Sequence, residues 1–189
     1  MNKNKIAVIG LGYVGLPLAV ALAKKHTVIG FDIDIDRVES LKKFDDKTGE
    51  ISSHKLKKSK NINFTSSKNL LKKCNTFIIT VPTPINSSKM PDLSPLHSAT
   101  SLVAKNLNEG DLVIFESTVY PGCTNEYCVP ILEKLSGLKY NVNFFCGYSP
   151  ERINPGDKIH TITKIKKVIS GSNKHALARV ESIYKPVIK

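Results

Sequence analysis

Tryptophan is absent, aromatic residues make up only 7% of the 189 positions, and just three of the 28 basic residues are arginine (Arg37, Arg152 and Arg179). Proteins that read nucleic acid favour arginine forks and stacking aromatics. The formal charge of +12 therefore reads as a solvated lysine-rich face, not a nucleic-acid site. Its densest stretch is Lys55, Lys57, Lys58, Lys60, Lys68, Lys72 and Lys73, with which no run of aromatic residues interleaves. Anionic small molecules remain compatible with such a charge. Cysteine is scarce too: Cys74, Cys123, Cys128 and Cys146 form no CxxC, and His26, His54, His97, His160 and His175 are scattered. That spacing matches no zinc pattern, so reduced, separately packed thiols and no metal are expected. No apolar run approaches the ~20 residues that span a bilayer. Met1 to Lys5 lead straight into a strand-like segment without a signal-peptide h-region. The expectation is a cytoplasmic protein without a membrane partner.

What is present is enough apolar residue, 41%, for the core of one α/β domain. Short β-branched runs alternate with amphipathic stretches. Strands are predicted at Lys5–Ile9, Thr27–Phe31, Ile62–Phe64, Thr76–Thr80, Leu112–Phe115, Val142–Cys146 and Lys167–Ile169. Helices are predicted at Val14–Lys25, Arg37–Phe44, Ser67–Lys73, from Ser94 (as cap) to Leu107, Thr124–Leu135, and onward from Lys174. Asp45 to Asn61 is polar and aperiodic and reads as an irregular excursion. This order predicts a doubly wound, Rossmann-type α/β fold: a mostly parallel sheet with helices on both faces.

In such a sheet ligands bind outside the carboxyl ends of the strands. The first loop there is Gly10-Leu11-Gly12-Tyr13-Val14-Gly15, a GxGxxG between a strand and a helix. Gly10 permits the tight turn, Gly12 lets a pyrophosphate approach the backbone, and Gly15 allows close helix–strand contact. Asp32 ends the second strand, 17 residues beyond Gly15. Its carboxylate is placed to accept hydrogen bonds from an adenosine ribose and to repel a 2′-phosphate, which favours NAD over NADP. Arg37, one helical turn on, is expected to flank the adenine or ribose. The later loops are Val81-Pro82-Thr83-Pro84, Glu116 to Gly122, and Gly147 to Asp157. Periodicity alone leaves these open as structural turns, but their places at strand ends bring hydroxyls, a carboxylate and an Arg towards one crevice.

At these residues the sequence resembles the UDP-glucose/GDP-mannose dehydrogenase family. It is most similar to the branch acting on UDP-N-acetylhexosamines (N-acetylglucosamine or N-acetylgalactosamine), which includes enzymes of Vi-antigen type polysaccharide synthesis. The matching stretches, in order, are GLGYVGLPLAVALA, VPTPI, PDLSPL, EGDLVIFESTVYPGCT and GYSPERINPGD, over about residues 5–171. ESTVYPG and SPERINPGD are the most specific.

The resemblance implies NAD-dependent oxidation of a sugar C6 alcohol to a carboxylate, through an aldehyde and a cysteine-bound thioester. It implies that Tyr13 and Val14 meet the pyrophosphate through their backbone, that Asp32 and Arg37 hold the adenosine side, and that Thr83 and Thr118 line the nicotinamide end. Thr118 would also stand near the reacting carbon. Glu151 matches a loop carboxylate linked to water activation or thioester hydrolysis, and Arg152 and Ile153 match positions that touch the nucleotide-sugar. A carboxylate in a closed crevice can serve as a base.

The sequence departs from the family pattern in length. Members continue into a middle domain and a second nucleotide-binding domain, where the catalytic Cys, Lys and Asn lie, and they form homodimers as whole proteins. Residues 1–189 are expected to be the N-terminal NAD-binding domain, inactive alone, with none of its four cysteines a nucleophile. Pro155 stands where relatives with SPEFLRE-type loops carry a second acid. Three alternatives stay open: UDP-glucose or UDP-N-acetylmannosamine as substrate, a β-hydroxyacid or 6-phosphogluconate type dehydrogenase, and a stand-alone NAD-binding module. ESTVYPG and SPERINPGD argue against the second of these.

Overall fold

In the computed structural model, residues 4–85, 90–151 and 166–188 are described. Seven strands form one sheet: β1 (Lys5–Ile9), β2 (Thr27–Phe31), β3 (Ile62–Thr65), β4 (Thr76–Ile79), β5 (Asp111–Phe115), β6 (Phe144–Tyr148) and β7 (Ser170–Gly171). Their order is β3-β2-β1-β4-β5-β6-β7. β1 to β6 are parallel, and β7 pairs antiparallel with β6.

Side chains alternate across a strand, and here both faces are covered. Ile6 and Val8 of β1 enter one core with Leu16 and Leu18, Val38 and Leu41, Val180 and Ile183. Ala7 and Ile9 enter the other with Leu96, Val103, Val129 and Leu132. The helices supplying these residues are α1 (Gly15–Leu22), α2 (Ile35–Lys42), α4 (Ser94–Ala104), α5 (Val129–Ser136) and α6 (Lys174–Tyr184). Burial on both faces explains why β4 and β5 are buried throughout, as parallel central strands are. The fold is the doubly wound one expected from the sequence.

Several boundaries differ, each for a local reason. The Asp45–Asn61 stretch is not wholly irregular: it holds the short helix α3 (Ser53–Lys58), whose one buried residue is Leu56. One anchored side chain gives no period to read. Lys68–Lys73 winds as a 3₁₀ helix. Ser94 is the first residue of α4 and not its cap; the Asp92 carboxylate accepts from the Ser94 N–H at 2.9 Å and from its hydroxyl at 2.6 Å. Thr124–Cys128 forms a π-helical turn before α5, with Pro in the first turn of that helix. The Val142–Cys146 strand starts at Phe144 instead, because Asn141 adopts φ 59° and the chain turns there, leaving Val142 exposed. The Lys167–Ile169 strand is replaced by the short pairing at Ser170–Gly171.

Candidate cofactor and active site

The strand order reverses between β1 and β4, and a cleft of about 960 Å³ lies outside the strand ends at that switch. Its position follows the rule for open α/β sheets, and its size suits a small-molecule ligand.

The glycine loop forms one wall. Gly10 has φ 96°, a backbone region that L-residues rarely enter, and its N–H donates to Phe31 O at 2.8 Å. Gly15 closes the loop: a Cβ there would lie 1.8 Å from Gly10 O and 2.5 Å from Thr80 Oγ1. At Gly12 a Cβ would meet nothing within 4 Å. Gly12 therefore faces open cleft, and its missing side chain leaves room for a ligand. The N-terminus of α1 starts at this loop with no side-chain cap and no acidic residue in its first turn. Its leading N–H groups and positive dipole end are thus left for an anion.

Asp32 stands across from that loop and also lines the cleft. Oδ2 accepts the Leu11 N–H at 2.7 Å and Oδ1 accepts the Asp34 N–H at 3.0 Å. These bonds hold the carboxylate in place while leaving lone pairs for a ribose. Arg37 is bonded to the loop and to the next segment. Its Nε and Nη2 donate to Leu11 O at 3.0 and 2.8 Å, and Nη1 pairs with Asp46 Oδ1 at 2.8 Å. The guanidinium supports the glycine loop through Leu11 O and is not among the cleft-lining residues.

At the other end, Gly10, Gly12, Tyr13 and Val14 give way to Thr83, Thr118 and Glu151, all lining the same cleft. The Thr83 hydroxyl donates to Thr118 O at 2.6 Å. Ser117 Oγ donates to Val81 O at 2.6 Å. These two bonds tie the loop after β5 to the loop after β4. Arg152 and Ile153 lie outside the described residues.

Three residues that the sequence reading did not single out meet beneath this end. Glu116, immediately after β5, is 1% exposed. Lys167 Nζ donates to Glu116 Oε2 at 2.6 Å and stands 3.6 Å from Glu151 Oε2. The Tyr184 hydroxyl donates to Glu116 Oε1. Burial raises the Glu116 carboxyl to about 7 against the lowering pull of Lys167 and Tyr184, and burial lifts Tyr184 well above its ordinary value. The only local signal was a carboxylate directly following the apolar run Leu112–Phe115.

No thiol is activated. Cys74, Cys123, Cys128 and Cys146 are all buried. Burial pushes Cys74 and Cys128 up to about 12 and raises Cys123 and Cys146 as well. Such thiols are poor nucleophiles at neutral pH. Among the described residues no His/Cys/Asp/Glu group could hold a metal ion, and no helix is long and apolar enough to cross a membrane.

The family model described as "UDP-glucose/GDP-mannose dehydrogenase family, NAD binding domain" matches residues 4–188. The chain belongs to this family. A UDP-N-acetyl-D-glucosamine 6-dehydrogenase of Pseudomonas aeruginosa is 54% identical over 188 residues, all of this chain and 44% of that protein. One of Salmonella typhi is 52% identical over the same coverage. The crystal structure of an NDP-N-acetyl-D-galactosaminuronic acid dehydrogenase from Methanosarcina mazei Go1 superposes with a TM-score of 0.91 at 28% identity. That match covers 99% of this chain and 42% of the other. The chain thus spans about 44% of the length of the curated relatives it matches. As an NAD-binding domain of this family it has the features the cofactor needs: an open Gly12, an uncapped α1 N-terminus and a fixed Asp32 carboxylate.

Proposed function

We propose that the chain, residues 1–189, is the N-terminal NAD-binding domain of a UDP-N-acetylhexosamine 6-dehydrogenase. The whole protein would oxidise the sugar C6 alcohol to the carboxylate in cytoplasmic synthesis of a surface polysaccharide. The observation that carries this reading is the polarity of the cleft. Asp32 lies at one end, and Thr83, Thr118 and Glu151 line the other. Identity above 50% to two UDP-N-acetyl-D-glucosamine 6-dehydrogenases supports the substrate class.

NAD, when bound, would supply the hydride acceptor for oxidation of the sugar carbon. The glycine-loop backbone and the N-terminus of α1 hold the pyrophosphate. Asp32 accepts ribose hydroxyls and disfavours a 2′-phosphate. Thr83 fixes the Thr118 main chain, so that the Thr118 hydroxyl is positioned at the reacting end. Glu151 acts as the base that takes a proton from water in the hydrolytic step. Arg152 and Ile153 are assigned to the nucleotide-sugar. The nucleophilic thiol is assigned to none of the four cysteines here, all of which are buried.

The test is NADH release from UDP-N-acetylglucosamine, with the galacto and manno epimers and UDP-glucose as competing substrates. The whole polypeptide should release two NADH per UDP-N-acetylglucosamine or its galacto epimer, and the 189-residue chain none. Turnover by the short chain, or preference for UDP-glucose or the manno epimer, contradicts the reading.

A further inference from the structure

Glu151 is joined to residue 116 by two routes. Its backbone N–H donates to Glu116 O at 3.3 Å. Its carboxylate stands 3.6 Å from the same Lys167 ammonium that bonds the Glu116 carboxylate at 2.6 Å. The three side chains are 0%, 5% and 7% exposed for Glu116, Lys167 and Glu151, and they come from the end of β5, the segment before β7 and the end of β6. The fourth member, Tyr184 of α6, bonds the second Glu116 oxygen and offers its ring to Lys167 at 5.5 Å.

Burying two carboxylates around one ammonium is costly unless each charge is directed at a partner. Here Glu116 has both oxygens engaged, by Lys167 and by Tyr184. This fixes the lysine, which would otherwise have four rotatable bonds of freedom. The second carboxylate within reach of that fixed ammonium belongs to the cleft.

We propose that Glu116 and Lys167 are positioning residues, which anchor the Glu151 carboxylate at the reacting end of the cleft. The anchoring is a geometric relation within this chain. Its consequence for turnover rests on the function proposed above. Removing the Glu116 charge would release Lys167 towards Glu151 and pair off the base. Removing Lys167 would leave two neighbouring carboxylates without their shared cation, and the Glu151 side chain would move from its place.

Carbon-13 NMR of the 189-residue chain with labelled glutamate tests the anchoring through the Glu151 carboxyl signal. Glu116→Gln keeps the side-chain size and the backbone bond to the Glu151 N–H, and removes the carboxylate charge that holds Lys167. The double variant Glu116→Gln/Lys167→Met removes both charges together, the change a buried pair tolerates best, and covers the case in which Lys167→Met alone does not fold. The Glu151 signal should be displaced in both. An unmoved signal in both folded variants overturns the proposal. In the whole polypeptide, with UDP-N-acetylglucosamine and NAD, Glu116→Gln should lower kcat by about tenfold, less than the loss of a general base itself. The larger share of the loss should fall in kcat and not in KM for NAD. A kcat within twofold of wild type also overturns it. If instead the substrate assignment is wrong, wild type and variants alike show no turnover while the displaced Glu151 signal stands.

Discussion

Asp32 holds Leu11: its Oδ2 accepts the Leu11 backbone N–H at 2.7 Å, across the gap between the end of β2 and the glycine loop. Arg37 completes the grip by donating twice to the carbonyl of the same residue. Leu11 itself is fully buried. Cofactor selection and loop geometry are therefore joined at one residue, and substitutions around it should separate into those that break the loop and those that block the ligand.

Two glycines of the loop, Gly15 and Gly12, provide that separation. Gly15→Ala puts a methyl group 1.8 Å from Gly10 O, so backbone must shift, at a cost of about 1–3 kcal/mol. Its melting temperature should fall along with NAD affinity. Gly12→Ala meets no protein atom within 4 Å. It should melt like wild type yet lose NAD affinity, which thermal denaturation and calorimetry on the same samples will show.

Arg37→Lys is not a conservative change here. A lysine cannot reproduce the fork that meets Leu11 O and Asp46 together. The loss should be about 1.5–3 kcal/mol of stability, the size of charge-assisted hydrogen bonds, seen as a lower denaturation midpoint. NAD affinity should weaken as the loop loosens, although Arg37 does not line the cleft.

Stability should also depend on pH through Asp111, at the far end of the sheet from the cleft. Burial raises its carboxyl to about 6, opposed by the Asn108 N–H and by Arg179. A carboxyl raised on folding binds its proton more tightly in the native state. Its stabilising effect is full below the unfolded pKa of about 4 and is lost as pH rises through about 6. Asp111→Asn should therefore flatten the melting-temperature profile between pH 5 and pH 8 and raise the melting temperature at pH 8. A profile as steep as wild type would remove Asp111 from the account.

The legibility of the chain followed the range of its interactions. The glycine loop and Asp32 were readable because each is fixed by residues close by in sequence: a strand before, a helix after, and one carboxylate at the next strand end. The residue type at Arg37 was readable, but the protein partners it holds were not. Asp46 and Leu11 O claim the guanidinium, and nothing in the spacing announces that choice. The Glu116 cluster was hidden further, since Lys167 and Tyr184 come from 51 and 68 residues away. Strands bounded by buried cores, β1 and β5, came out close to their predicted limits. The edge near β7 did not, where a two-residue pairing carries almost no pattern.

The central claim is that this cleft binds NAD and is selective through Asp32. Calorimetric titration of NAD and of NADP into the 189-residue chain tests it most directly. NAD should bind at least about 100-fold more tightly, a difference of roughly 2.7 kcal/mol. Asp32→Ala should narrow that ratio and also weaken NAD, because the Leu11 N–H loses its acceptor. Equal affinities for the two cofactors, or a ratio unchanged by Asp32→Ala, would contradict the account.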